Sequence, residues 1–238
     1  MRRRWVNALA IVVVVLAVLF TVADRVAVHF AEGEAAQLAQ QKYGYGSGST
    51  NGYTHVSIHG FPFLTQAMGR ELDHVTISAG NFSLNTTSNA QGDYLDVRKL
   101  ALDLHDVTVT SLSSRTAQAN LVTGDVSFSY EALSGVITRL MGKGGALTVG
   151  PAAGSHGQEA RIQVSGTWDG RKVDTGGSLL AQGDEISVAV PGLGGHSYVW
   201  RVSLPQNAGF TAARSTPSGV DFEITGHQVV LGSSTYTR

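Results

Sequence analysis

HVSIHGFPFLTQAMGRELDHVTISAGNFSLN, residues 55–85, carries the alternation that decides the fold. Val56 and Ile58 share one face of an extended segment, and His55, Ser57 and His59 share the other. That is the period-two pattern of a half-buried strand. Phe61-Pro62-Phe63-Leu64 interrupts it. Proline fixes its own φ and pushes the preceding residue into an extended conformation, so a rigid corner carrying two aromatic rings is expected. The run from Leu64 to Met68 has room for one or two helical turns, with Gly69 as a left-handed stop. Leu72, Asp73, His74, Val75, Thr76 and Ile77 then resume the alternation. The segment reads as strand, apolar corner, short helix, strand.

Composition extends that reading to the rest of the chain. Charged residues make up 15% of 238 positions, hydrophobic residues 42%, and glycine contributes 29. Abundant Gly, Val, Thr and Ser with few Lys and Glu favour strands and turns over helical bundles. Setting aside Arg2, Arg3 and Arg4 leaves 14 basic against 18 acidic residues, a net charge of −4. No basic stripe remains that could neutralise many phosphates, which argues against a nucleic-acid partner. There is no cysteine, so neither disulfides nor thiolate chemistry are available.

Arg2, Arg3 and Arg4 stand before an apolar run from Ala8 to Ala23 that carries no charge. This is the pattern of a signal anchor or signal peptide over residues 1–23. Apolar periodicity continues past Ala23 through Val22, Val26 and Phe30, which favours an uncleaved anchor running into an amphipathic helix over residues 24–42. The positive-inside rule then places everything after residue 24 outside the cytoplasm, in or at the cell membrane, with secretion after cleavage as the alternative. Residues 43–52, YGYGSGSTNG, break the periodicity and read as a Gly/Ser-rich linker. A β-rich domain over residues 53–238 follows.

Within that domain the alternating apolar positions change parity twice, from Leu95 and Val97 to Leu100, Leu102 and Leu104, then to Val107 and Val109. Such shifts suggest bulges in a strongly curved sheet. Residues 131–141, EALSGVITRLM, form the one convincing helix inside the domain, with Leu133, Val136, Ile137 and Leu140 on one face. That stripe must bury against the sheet or leave a groove beside it. The Gly- and Pro-rich stretch at 147–157 reads as a break between two sheet regions. The fold class expected is mostly β with few helices (α+β), a curved antiparallel sheet around one or two amphipathic helices.

Catalytic punctuation is missing. No nucleophile elbow, zincin motif or Walker loop occurs. His55, His59, His74 and His105 lie on strands and could be imagined around a metal, but polar residues on the solvent face of a sheet explain them more simply. Asp103, Asp106 and Asp125 fit turn chemistry better than a carboxylate pair. No catalytic residue, metal or cofactor is therefore expected, and the chain is read as a non-enzyme.

The stretch 59–82, HGFPFLTQAMGRELDHVTISAGNF, together with ADRVAVHFAE (23–32), YEAL (130–133), LPQNAGF (204–210) and GVDFEITGHQVVL (219–231), resembles the LmeA-like family of actinobacterial envelope proteins. That resemblance implies an exported or membrane-anchored phospholipid-binding protein, with a role in cell-envelope lipid or lipoglycan assembly and a fold comparable to tubular lipid-binding proteins. The partner it implies is a membrane phospholipid, of phosphatidylinositol type among the candidates. Physical reasoning agrees: an apolar groove that buries about ten methylenes at ~0.8 kcal/mol each gains ~8 kcal/mol before entropic costs. The residues placed at such a groove are Phe61, Pro62, Phe63, Leu64, Met68, Val75, Ile77, Leu133, Val136, Ile137 and Leu140. Arg70, His74 and Arg139 are placed at the head group. A ligand-free envelope scaffold, with the corner as ordinary core, and an envelope glycan or lipid enzyme using the Asp and His positions are the competing readings.

Overall fold

A computed structural model describes residues 2–46, 51–85, 94–141, 145–192, 197–201 and 204–232. Helix α1 spans Arg2–Tyr43, followed by β1 (Tyr53–His59), α2 (Phe63–Gly69), β2 (Glu71–Asn85), β3 (Tyr94–Ser111), β4 (Thr116–Ser129) and α3 (Tyr130–Met141). The remaining elements are β5 (Ala146–Pro151), β6 (Glu159–Trp168), β7 (Arg171–Gln182), β8 (Glu185–Ala189), β9 (Ser197–Arg201), β10 (Gln206–Thr216) and β11 (Gly219–Leu231). The chain is mostly β with few helices. Its strands form a six-stranded antiparallel sheet, β1-β2-β3-β4-β11-β10, and a five-stranded one, β5-β6-β7-β8-β9.

Alternation sets one continuous apolar face across the first sheet. Val56 pairs with Ile77, Ile77 with Leu102, Leu102 with Gly124, Gly124 with Ile224, and Ile224 with Phe210. Ala79, Leu100, Val126, Phe222 and Ala213 form the row beside it. Gly124 is glycine because a Cβ there would lie 2.2 Å from the Ala101 carbonyl oxygen and collide with Leu102.

The parity changes read from the sequence have a structural cause. A register shift between Val97 and Lys99 marks a bulge, and Asp106 takes a φ of 51°, after which the buried position moves from Leu104 to Val107. The neighbouring strands change parity on the same line, from Leu72 to Val75 and from Ala119 to Val122, while Gln228 in β11 has a φ of 51°. Switching the inward set in step bends the sheet instead of breaking it. The end of β11 folds across to the end of α1, where the Tyr43 hydroxyl accepts from the Gly232 N–H at 2.9 Å and Lys42 donates to the Gly232 carbonyl. The first sheet thus curves around the C-terminal part of α1.

α3 covers the edge of the second sheet. Its Leu133, Val136 and Ile137 are buried in the core, and its hydroxyls satisfy β5: Ser134 accepts from Val149 N–H at 2.7 Å, and Thr138 Oγ1 accepts from Leu147 N–H at 3.1 Å. An exposed strand edge would otherwise offer unpaired backbone groups for unwanted pairing. The 147–157 stretch does not separate the two sheets: it holds β5 and the irregular link from β5 to β6 within the second sheet. Leu147 and Val149 alternate inward in β5, and Gly150 and Pro151 are tolerated because that strand lies at a sheet edge. The boundary between the sheets is α3, and β10 and β11 return to the first sheet after the second is complete. The sheets meet at β10, where Phe210 N–H donates to the Gly183 carbonyl and Ala213 N–H to the Gly157 carbonyl at 2.9 Å.

α1 docks through the stripe Asp24, Val28, Glu32, Ala35, Ala36, Ala39 and Tyr43, spaced at three and four residues. Glu32 Oε1 accepts from Ile58 N–H at 2.9 Å, capping a free amide of edge strand β1. Asp24, fully buried, accepts from Leu64 N–H at 2.8 Å through Oδ1. Leu64 lies in the first turn of α2, whose N-cap is Pro62 after a cis Phe61–Pro62 bond and offers no side-chain acceptor. Asp24 therefore supplies from another helix the cap that α2 lacks. α2 ends with Arg70 in the left-handed region (φ 58°), not with Gly69. The Arg70 N–H bonds the Ala67 carbonyl, and the Arg70 carbonyl accepts from Val109 N–H at 2.8 Å, so tertiary pairing holds a strained residue where glycine was expected.

Beyond α1, Tyr43 stacks on Tyr45 at 5.3 Å, and Tyr45 lies 5.6 Å from Phe82. Tyr45 is buried, and Thr54 Oγ1 donates to its carbonyl at 2.7 Å. Residues 47–50 of the expected linker lie outside the described residues. Burial raises the phenol pKa of both tyrosines above the ordinary value of 10.0, and Tyr43 beside Tyr45 adds to the rise for the latter.

Two outcomes follow. Asp24→Ala leaves the Leu64 amide without its acceptor and is expected to destabilise the protein by about 1–3 kcal/mol in urea unfolding, whereas Asp24→Asn retains an acceptor and costs less. Equal losses would mean that the bond contributes nothing. For the tyrosines, the unfolded chain releases its phenolic protons near pH 10 while the fold retains them. Stability is unaffected by these groups below that pH and falls as the pH climbs above it. Tyr45→Phe is expected to flatten this alkaline limb, measured as the urea midpoint between pH 9 and 11.

Candidate functional site

The residues expected at a groove separate into three environments. Phe63, Val75, Leu133, Val136 and Ile137 are buried, the last with no exposed surface. Pro62, Leu64 and Ile77 are half-buried, as are Ile58 and Leu72 beside them. Phe61 is 56% and Met68 87% exposed. The Leu140 side chain lies outside the described residues. At the corner, Phe63 and Val75 give a packed floor beside a half-covered apolar wall and two uncovered apolar side chains, whereas Leu133, Val136 and Ile137 lie on α3 at the opposite, Val97 end of the first sheet and are not brought to it.

Local sequence explains the split. In α2, Phe63 turns inward at the first position, and Leu64 sits where its amide is bound by Asp24. Met68, one turn later, stays outside. Phe61 stands before Pro62 with its ring 5.1 Å from the guanidinium carbon of Arg25, a cation–π contact tying the corner to α1. Arg25 is also 3.5 Å from Asp24 Oδ2, an oxygen with no hydrogen-bond donor. A shallow groove along α1 is lined by Thr21, Val22, Arg25, Val26, His29 and Phe30. Sequence reading saw the spacing of Val22, Val26 and Phe30 but not its relation to the corner, because the docked stripe of α1 begins with a carboxylate.

The polar candidates are not gathered at one place. Arg70 caps α2 beside Val109, and Arg139 is exposed on the last turn of α3, which follows the end of β4. Val109 and Val97 mark opposite ends of β3, and β4 ends beside Val97. His74 projects from the outer face, opposite Val75 and Ile77. There it stacks between His59 and His105 at ring separations of 4.6 Å on each side, and its Nε2 lies 3.0 Å from Asp103 Oδ1. These imidazoles lie in register across three strands, as a ladder and not as a converging set. Among the described residues, no group of three or more His, Asp or Glu is placed to hold a metal ion. Asp106 receives a long bond from Asn120, and Asp125 projects from the exposed face of β4.

One described helix, α1, is long and apolar enough to cross a membrane, and its apolar part is almost wholly exposed. This is compatible with a signal sequence or a membrane anchor. The LmeA-like phospholipid-binding family model matches residues 22–231, from the last apolar turn of α1 to the end of β11. Comparison with curated proteins and with solved structures yields no match. With an apolar corner of graded exposure and a family match over most of its length, the chain belongs to the LmeA-like phospholipid-binding family.

Proposed function

We propose that the protein stands in the cell membrane on α1, with its β-rich domain outside the cytoplasm, and holds phospholipid acyl chains against the corner formed by α1, α2, β1 and β2. Acyl chains enter over Phe61, Pro62, Leu64 and Met68 and lie along Ile77 and its half-buried neighbours Ile58 and Leu72. Phe63 and Val75 form the packed floor beneath, while Leu133, Val136 and Ile137 belong to the core at the far end of the sheet. The observation that carries the reading is the family match combined with apolar side chains left uncovered next to an apolar helix. Arg70 lies nearest this corner among the head-group candidates, so it is the first to test against the lipid phosphate.

The activity is binding and presentation without bond-making, in the service of envelope lipid or lipoglycan assembly, with a phosphatidylinositol-type lipid as the leading candidate. Membrane attachment, rather than release after cleavage, is supported by the continuity of α1 from its apolar part into the docked stripe. A cleavage after Ala23 would leave Asp24 at a new chain end, beside the α2 cap it provides.

Native mass spectrometry of gently extracted protein is the primary test, with phosphatidylinositol uptake as its complement. Leu64→Ala and Ile77→Ala are expected to lose bound lipid while costing about 1 kcal/mol of stability, because each is only half-buried. Ile137→Ala is expected to cost about 2–5 kcal/mol and to leave lipid occupancy of the folded fraction unchanged. Absence of co-purifying lipid together with no uptake would remove the proposal.

A further inference from the structure

α1 presents two faces beyond its apolar part. Asp24, Val28 and Glu32 point into the domain, while Val22, Val26 and Phe30 lie about 200° round the helix at ~100° per residue. These three stay 56%, 50% and 72% exposed, so the fold does not use them. Phe61 and Met68, at 56% and 87%, are the exposed apolar side chains of the adjoining corner.

Their level relative to a bilayer follows from the helix. The 20 residues from Trp5 to Asp24 span about 30 Å, the thickness of a hydrocarbon core. Asp24 and Arg25 then arrive at its outer boundary. The Asp24–Leu64 hydrogen bond and the Arg25–Phe61 contact fix the corner at that same level. Phe30 follows six residues later, ~9 Å along the axis, near the outer edge of a headgroup layer about 5–8 Å deep. Aromatic side chains favour this layer, where an apolar body meets a wet boundary.

We infer that the corner is a second membrane contact. Phe61 and Met68, with Val26, seat in the headgroup layer of the phospholipid bilayer that α1 enters and Phe30 meets its outer edge, so the domain lies against the membrane and does not stand off on its helix. Arg25, His29 and Arg70 lie around this surface, as do the exposed carboxylates of Glu71 and Asp73. Mixed charge makes the contact apolar in origin, and a zwitterionic bilayer suffices. This inference rests on the anchored reading above and deepens it, because it places the proposed lipid entrance at the bilayer surface.

The chain has no cysteine, so one introduced cysteine reports one position. Full-length Phe61→Cys, Met68→Cys, Lys172→Cys and Val15→Cys proteins are labelled with an environment-sensitive fluorophore and reconstituted in phosphatidylcholine vesicles. Lys172, exposed on the second sheet, is the reference for a site in water. Labels at 61 and 68 are expected to emit further to the blue than at 172, with iodide quenching several-fold weaker and quenching by nitroxide-bearing lipids present. If they behave like 172 while the label at 15 lies in the bilayer, the contact is refuted and the anchor stands. If the label at 15 is also open to iodide, the anchored reading falls and this inference with it. Protection at 61 and 68 that appears only at high protein-to-lipid ratio would assign the surface to a second copy and overturn the bilayer contact.

Discussion

The architecture depends on one carboxylate in an unusual place. Asp24 is fully buried one residue after an uncharged run, and it caps a helix that cannot cap itself. A proline N-cap gives α2 the right backbone entry but no acceptor, and seven residues are too few for a helix to persist by its own propensity. Charge at the α2 N-terminus is also electrostatically favourable. Because the acceptor comes from α1, the corner is stabilised by the helix it packs on. Glu32 repeats the device two turns later on β1, so two acidic side chains on one face of α1 register the helix against the edge of the first sheet. The apolar N-terminal segment is thereby coupled rigidly to the domain.

The same economy recurs at the second sheet. β5 is an edge strand, and its exposed amides are met by Ser134 and Thr138, the hydroxyl residues on the sheet-facing side of α3. A helix interior tolerates these residues poorly when their hydroxyls find only their own backbone. Here they bond the neighbouring strand, while Leu133, Val136 and Ile137 fill the core. An amphipathic stripe and a polar stripe on one short helix thus do separate jobs, one of packing and one of edge protection.

Much of this was legible in the chain because it is periodic. The Val56/Ile58 alternation, its resumption at Val75 and Ile77, and the stripe on α3 follow from steric repeats of two and 3.6 residues. Parity changes at Val97–Leu100 and Leu104–Val107 revealed the bulges, since a sheet with one buried face cannot hide a slip. What stayed hidden depends on partners distant in sequence. Nothing near Gly69 indicates that Arg70 takes the left-handed position, because the Val109 pairing holding it lies far along the chain. Nor does Leu147 to Pro151 announce itself as a strand, since its register comes from β6 and its cover from α3. For the site, the corner was visible as a concentration of Phe61, Phe63, Leu64 and Met68. Which of them face inward was not, because that is fixed by the Asp24 cap.

Graded burial at that corner bears on where the proposed acyl-chain binding gains most. Phe63 and Val75 are packed into the fold, and admitting an acyl chain among them would mean displacing contacts already worth several kcal/mol. At the site we propose, a lipid gains more where the wall is incomplete, beside the half-buried Ile58, Ile77 and Leu64, because it adds contacts without breaking any. Each methylene so covered contributes ~0.8 kcal/mol, and the rigid corner reduces the ordering cost that binding would otherwise incur. Affinity and release at such a wall are set by how many methylenes it covers. In the membrane-seated arrangement inferred above, the bond from Asp24 to α2 holds that wall at the bilayer surface.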